Sequence, residues 1–272
     1  MSVPAISIVL PAYNCSRFIA QTINSLLAQR CSDFELLIIN DGSTDDSETI
    51  IRSYRDKRIT YVANDSNRGL VYTLNKGMNL AKAEMIARMD ADDIALEERL
   101  ELQYNWLIKN PKTAVVGSTI QFIDEANTLL GLWKDDQQTT SYTAIRNMMP
   151  WRNCIAHPSV MMRKQVALKY PYNMYQQHTE DYDLWLRLLA DGLVIEKVPQ
   201  TLLLYREHSN SVTGNILRKS NPFFKQYHCK KRFLAARKKQ GRWGQFESMV
   251  LLTTLYDGMM GIGKNIKKNF SI

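Results

Sequence analysis

The 272-residue chain contains no run approaching the ~18 apolar residues that cross a bilayer, so no spanning helix is expected. Its apolar start, MSVPAISIVLPAYN, lacks a basic leader and a small-residue cleavage site and is broken by Pro11. It therefore reads as a strand and not as a signal peptide. Only four cysteines occur, Cys15, Cys31, Cys154 and Cys229, and none forms a C-x-x-C pair. Neither a thiolate metal site nor a disulfide framework is expected, and a reducing cytoplasm suits the chain. Internal repeats, low-complexity tracts and a clear interdomain linker are also missing. Acids are absent from one long stretch: residues 208–246 hold ten Lys or Arg and no Asp or Glu. The net charge of +8 is therefore a C-terminal property. With 45% apolar residues, the chain is long enough to bury a sizeable core.

Over the first 90 residues short apolar runs alternate with helical patterns, which predicts βαβ units around a largely parallel sheet. Strands are expected at 6–10, 34–39, 59–62 and 85–89, with helices after Ser16, near 46–54 and near 70–81. Ser16 is the expected cap of a helix whose Phe18, Ile19, Ile23, Leu26 and Leu27 share one face. The second half predicts helices at 96–108, 142–148 and 180–190, and strands at 114–122, 129–133, 159–162, 193–198 and 202–205. Pro222 marks the start of a helical tail. In such sheets ligands gather at the carboxyl ends of the strands. Just past those ends stand Pro11-Ala12-Tyr13-Asn14, Asn40-Asp41-Gly42-Ser43-Thr44-Asp45 and Asp90-Ala91-Asp92-Asp93.

Three carboxylates in four positions repel one another and raise each other's pKa. A hard divalent cation offsets that cost and completes its shell with phosphates, so Asp-x-Asp at a sheet edge suits a nucleoside diphosphate. The competing reading is a helix N-terminus capped by Asp92 or Asp93, and Asp93 is assigned to it.

Five ordered blocks resemble those of the family 2 glycosyltransferases: Ser7-Ile8-Val9-Leu10-Pro11-Ala12-Tyr13-Asn14, Glu35-Leu36-Leu37-Ile38-Ile39-Asn40-Asp41-Gly42-Ser43-Thr44-Asp45, Asn67-Arg68-Gly69, Leu74-Asn75-Lys76-Gly77 and Ala87-Arg88-Met89-Asp90-Ala91-Asp92-Asp93. The resemblance covers residues 5–210 and is strongest up to 100. It implies an α/β GT-A fold with a mostly parallel central sheet, flanking helices and a helical C-terminal tail. A nucleotide-sugar donor, UDP by family preference, inversion at the anomeric carbon, and Mn²⁺ or Mg²⁺ as cofactor are implied with it. The expected division is a catalytic domain at 1–214, with donor half 1–95 and acceptor half 96–214, and a basic extension at 215–272. By position, Pro11, Ala12, Tyr13, Asn14, Asp41 and Ser43 would surround the nucleoside, with Asp41 accepting from the base. Asn67, Gly69 and Asn75 would shape the pocket floor and Arg88 would approach a phosphate. Asp90 and Ala91 would face the ribose or sugar, and Asp92, with Asp90 beside it, would hold the metal.

Inverting transfer needs a carboxylate to take the acceptor hydroxyl proton. Thr179-Glu180-Asp181-Tyr182-Asp183-Leu184-Trp185 opens a helix with three acids in its first turn and resembles the family's Glu-Asp block, which implies Asp181 as base and Glu180 as fallback. Acids also favour helix N-termini and Thr179 is a good cap, so a structural role stays open. Two further segments, around His157-Pro158 and Tyr205-Arg206-Glu207-His208, resemble family blocks. His157 is placed on the acceptor side, Arg206 at the diphosphate and His208 at the metal.

The tail carries Phe223, Phe224, Tyr227, Phe233, Leu234 and Trp243 among its cations. An anionic membrane at the inner face of the cell, nucleic acid, or packing on the catalytic domain would each account for it, and nucleic acid is the weakest fit. Gly258-Met-Met-Gly-Ile-Gly263-Lys264 nearly matches a phosphate-binding loop, but Asn265 replaces the required Ser or Thr, so the match is read as chance. The expected activity is transfer of a sugar to a glycan hydroxyl, on a lipid-diphosphate-linked intermediate of bacterial surface polysaccharide. Two rival classes remain. A sugar-nucleotide nucleotidyltransferase would need a Gly-rich, basic loop after the first strand. A non-catalytic nucleotide-sugar or polyanion binding module would have no use for Asp90, Asp92 and Asp181 together.

Overall fold

A computed structural model describes residues 3–208 and 221–270, with side chains through Lys264. Four parallel strands, β1 (Ile6–Ala12), β2 (Phe34–Asn40), β3 (Ile59–Ala63) and β4 (Met85–Arg88), lie in the order β3-β2-β1-β4. They are connected through α1 (Ile19–Leu27), α2 (Ser47–Ser53) and α3 (Leu70–Leu80). β1 and β2 are buried at every position, as continuous apolar strands covered on both faces require. Alternate residues enter different cores. Ile6, Ile8, Leu10, Leu36 and Ile38 pack with Ile19, Ile23 and Leu26 of α1, whereas Val9, Leu37 and Ile39 pack with Leu74 and Met78 of α3. Gly77 sets the spacing of α3 from the sheet: a Cβ there would lie 2.4 Å from Val9 Cγ1 and 2.6 Å from Ile39 Cδ1.

Beyond β4 the sheet becomes mixed. β8 (Met161–Arg163) runs antiparallel to both β4 and β6 (Thr113–Ile123), and β6 pairs in parallel with β9 (Val194–Arg206). The short β5 (Ile94–Ala95) is antiparallel to β9, and β7 (Leu129–Leu132) forms a hairpin with β6. The two strands expected at 193–198 and 202–205 are one strand. Its register moves from Ser118↔Val198 to Thr119↔Thr201, so Pro199 and Gln200 are absorbed in a bulge where the missing proline N–H costs no ladder bond.

The helices of this half are α4 (Arg99–Lys109), α5 (Lys134–Gln138), α6 (Tyr142–Met148), α7 (Lys164–Lys169) and α8 (Glu180–Ala190). α5 and α7 were not expected, and α4 starts later than residue 96 because Ile94 and Ala95 pair with β9 and Leu96 N–H donates to Leu202 O. Ser16 does not cap α1. Its N–H donates to Asp45 Oδ2 at 3.0 Å, and the entering turn closes on Cys15 O, which accepts from Phe18 and Ile19 N–H. The strand expected at 159–162 begins with a 3-10 turn, His157–Ser159.

The described part of the tail is a helical hairpin, α9 (Pro222–Lys239) and α10 (Gln245–Phe270). Cys229, Phe233 and Leu234 of α9 and Phe246 and Val250 of α10 join the core that holds Trp185 and Leu188 of α8. The stretch resembling a phosphate-binding loop is helical throughout, and two of its three glycines serve helix contact. A Cβ on Gly261 would lie 2.8 Å from the Phe224 ring, and one on Gly258 3.4 Å from Tyr227. Phe224, Tyr227, Phe233 and Leu234 thus face the hairpin or α8, not an external surface. The boundary expected at 214/215 lies outside the described residues.

Candidate active site

At the end of β1, Tyr13 is exposed and Asn14 is left-handed with φ 46°. Asn14 N–H donates to Ser43 Oγ at 3.0 Å, its Oδ1 accepts from Thr44 N–H at 2.8 Å, and the Ser43 hydroxyl donates to Asn40 Oδ1 at 2.6 Å. Asn14 and Ser43 therefore stitch the β1 and β2 loops together, while Pro11 and Ala12 are buried in the strand end beside Ile39 and Asn40. Asp41 is buried and accepts from Asn64 Nδ2 at 2.7 Å, Arg68 N–H at 2.9 Å and Gly69 N–H at 2.8 Å. These fill three of the carboxylate's roughly four acceptor positions and fix the N-terminus of α3. Gly42, at φ 70°, has no room for a side chain: a Cβ would lie 2.7 Å from Ser66 C. Asn67 is exposed and accepts from Gly69 N–H. Asn75, expected on the pocket floor, instead pins the two halves together, donating to Tyr172 O and accepting from Tyr172 N–H, each at 2.9 Å.

Beyond β4, the fully buried Arg88 grips Asp90 twice, Nη1 to Oδ2 at 2.7 Å and Nη2 to Oδ1 at 2.5 Å. The guanidinium expected at a phosphate is therefore committed to a carboxylate, in the bidentate geometry that suits arginine. Asp90, Asp92 and Asp93 bring carboxylate oxygens within 4.8 Å of one another, with Ala91 buried between them. Burial raises the Asp90 pKa against the pull of Arg88, and Asp92 adds repulsion. Asp93 is raised well above the carboxylate range by burial first and then by Asp92 and Asp90. It caps no helix, because the chain continues into β5. Its Oδ1 accepts from Arg206 N–H at 2.9 Å, and its buried Oδ2 has no partner.

The end of β9 supplies Arg206 and His208. Arg206 donates through Nε to Asp92 O at 2.7 Å, through Nη1 to Asp124 O at 2.8 Å and through Nη2 to Gln21 Oε1 at 2.9 Å, with its guanidinium over the Phe18 ring. Its three nitrogens are engaged with the protein, so Arg206 holds the loop and is not turned to a diphosphate. His208 Nε2 lies 2.9 Å from Asp92 Oδ2, its ring 5.1 Å from that of Phe18. Three carboxylates, one with an orphaned buried oxygen, and an imidazole on the central one make a donor set that fits a hard divalent cation.

α8 supplies a second acidic group. Asp181 Oδ2 accepts from Asn153 Nδ2 at 2.7 Å and Oδ1 from Tyr182 N–H at 2.7 Å. Thr179 does not cap the helix; its hydroxyl donates to Gln176 O. Burial raises the Asp181 pKa against the bonds from Tyr182 N–H and Asn153. Glu180 is pushed up to about 7, by burial first and by Asp181 second, and its Oε2 is buried without a partner. Asp90 feels the repulsion of Asp181, and Arg88 attracts both helix acids, so the N-terminus of α8 and the acidic loop share one electrostatic field. His157 is buried beneath this junction, its Nε2 2.8 Å from the Tyr172 hydroxyl and its ring edge-on to Trp185. Burial, with Arg88 adding, depresses its pKa well below the usual value, so the ring is neutral. Asn153, Tyr172 and Gln21 were not found from the sequence, since none stands in a spaced motif, and Phe18 was read only as part of the apolar face of α1.

Comparison with known proteins identifies the family and the fold. The model of glycosyl transferase family 2 matches residues 7–170, more than half of the chain. The O-antigen biosynthesis glycosyltransferase WbnJ of Escherichia coli is 32% identical over 217 residues, 78% of this chain and 83% of that protein. A second Escherichia coli protein, the UDP-Glc:alpha-D-GlcNAc-diphosphoundecaprenol beta-1,3-glucosyltransferase WfaP, is 28% identical over 221 residues, 79% and 84% of the two chains. The crystal structure of S. aureus TarS in complex with UDP-GlcNAc superposes with a TM-score of 0.70 at 17% identity, over 85% of this chain and 65% of that one. That likeness identifies the fold as GT-A. A family model over most of the β1-to-α7 region, together with a relative at 32% identity along three quarters of the chain, establishes that this protein belongs to glycosyl transferase family 2.

Proposed function

We propose that the protein is an inverting, cation-dependent glycosyltransferase that moves a sugar from a UDP-sugar to a hydroxyl of a lipid-diphosphate-linked glycan in bacterial surface polysaccharide synthesis, working at the inner face of the cell membrane. The observation that carries the reading is the electrostatic coupling of two acidic groups: Asp90, Asp92 and Asp93 with His208, and Asp181 with Glu180. In this reading Pro11, Ala12, Tyr13 and Asp41 line the nucleoside pocket, and Asp92, Asp90 and His208 hold Mn²⁺ or Mg²⁺. A divalent cation there supplies Lewis-acid stabilisation of the departing diphosphate. Arg88 holds Asp90 in place and Arg206 holds the backbone beneath Asp92. Asp181, oriented by Asn153, takes the acceptor hydroxyl proton as that oxygen attacks the anomeric carbon opposite the leaving group, which inverts the configuration. The UDP-sugar donor is supported by the name of WfaP and by the complex of TarS with UDP-GlcNAc, and the lipid-linked acceptor by the name of WfaP. Thermal stabilisation by UDP, GDP and TDP, each with Mn²⁺, Mg²⁺ or excess chelator, tests the donor assignment. Stabilisation by UDP that needs the cation is expected, and equal stabilisation in chelator would overturn it.

A further inference from the structure

The outer face of α10 carries an apolar stripe that the described residues leave uncovered. Leu251, Leu252, Leu255, Tyr256, Met259 and Ile262 recur at spacings of three and four, the period of one helix face, and Leu252, Leu255 and Met259 are 62%, 58% and 66% exposed. The stripe extends onto the neighbouring turn, where the exposed Trp151 packs edge-on against Tyr256 with ring centroids 5.9 Å apart. The hairpin's own exposed charge is of one sign. The hairpin's two described acids, Glu247 and Asp257, are both buried, bonded to Arg237 at 2.8 Å and to Lys230 at 2.6 Å. The exposed charges of residues 221–264 are therefore all cations, among them Lys231, Arg232, Lys238, Lys239, Arg242 and Lys264.

We propose that the Leu251-to-Ile262 face of α10, with Trp151, inserts into the surface of an anionic bilayer. An apolar stripe on a helical hairpin whose own exposed charges are all cations is the pattern of a helix lying in the lipid interface. No helix among the described residues is long and apolar enough to cross a membrane, so the helix lies in the surface plane. A second copy of the chain would have to bring two cationic hairpins together, and a nucleic acid would leave the apolar stripe exposed. The docking face is also joined to the site. Thr253 Oγ1 donates to Pro150 O at 2.6 Å, and three residues beyond Pro150 stands Asn153, which holds Asp181. Docking itself does not depend on the catalytic reading.

The test is flotation of the full chain with phosphatidylcholine vesicles, with and without phosphatidylglycerol. Binding is expected to the anionic vesicles and to weaken with salt. The triple variant Leu252→Glu/Leu255→Glu/Met259→Glu should bind them roughly a hundredfold more weakly. Lys238→Glu/Lys239→Glu should bind about tenfold more weakly and lose most of the salt dependence. Because every altered side chain is exposed, both variants should melt as the unaltered chain does. If the triple variant does not, the single changes Leu252→Glu and Met259→Glu carry the same readout. Undiminished vesicle binding by the stripe variants overturns the proposal. So does a stripe-dependent dimer in sedimentation, or binding of an oligonucleotide in place of vesicles.

Discussion

His208 Nε2 meets Asp92 Oδ2 at 2.9 Å, joining the end of the last strand to the acidic loop across 116 positions of sequence. If this contact orders a cation site, His208→Ala should weaken Mn²⁺ affinity about 10–100-fold while leaving the melting temperature close to that of the unaltered chain. Calorimetric titration of Mn²⁺ in the presence of UDP reads this directly. Unchanged affinity would place His208 outside the cation's shell.

Asp181 and Glu180 can be separated by measuring binding and turnover on the same samples. If Asp181 is the base, Asp181→Asn should bind UDP as before yet transfer roughly 10²–10⁴-fold more slowly. Its raised pKa should also place the acid limb of the pH–rate profile above the ordinary carboxylate range, with activity rising as pH rises. If Asp181→Asn transfers normally and Glu180→Gln does not, the base is Glu180, whose partnerless oxygen makes it the alternative.

Glu180 also makes a stability prediction. Its folded-state pKa of about 7 lies above the ordinary 4.5, so the folded protein holds this proton more tightly than the unfolded chain. That contribution is fully present below the unfolded value and is lost as pH rises through about 7. Cation-free protein should lose on the order of 1–3 kcal/mol between about pH 4.5 and pH 8 from this group, and Glu180→Gln should remove that part of the slope. Urea denaturation across the interval decides. Parallel slopes for the two proteins would show that the carboxyl titrates normally when folded.

Gly77→Ala tests how tightly α3 sits on the sheet. Helix propensity alone favours alanine by up to about 1 kcal/mol. The new Cβ would meet Val9 and Ile39 at distances no real contact adopts, and the overpacking should cost ~1–3 kcal/mol net. A variant as stable as the parent would mean that α3 can back away without loss.

The parallel half of the sheet was legible because β1 and β2 are buried on both faces and so read as unbroken apolar runs. The site loops were legible because each directly follows such a strand. What sequence could not convey is which partner a polar group takes. Arg88 and Arg206 look like phosphate ligands in a linear motif, yet each meets protein acceptors, Asp90 in one case and two carbonyls with Gln21 in the other. Asp93 reads as a cap because a helical pattern follows. The pairing of Ile94 and Ala95 with β9 wins, since it completes a sheet edge across more than 100 residues that no local window sees. The tail's aromatic residues left an external surface and packing on the catalytic domain both open. Phe224 turns inward because Gly261 lets it approach, and the apolar face left outside belongs to the other helix.

Through one guanidinium and its backbone N–H, Arg206 ties together the acidic loop, the β6–β7 turn, α1 and the end of β9. A nucleotide reaching this loop finds it already held, so little chain entropy remains to be lost on arrival. Competing nucleotides of like charge should then associate at similar speeds, and selectivity among them should reside in how long each one stays.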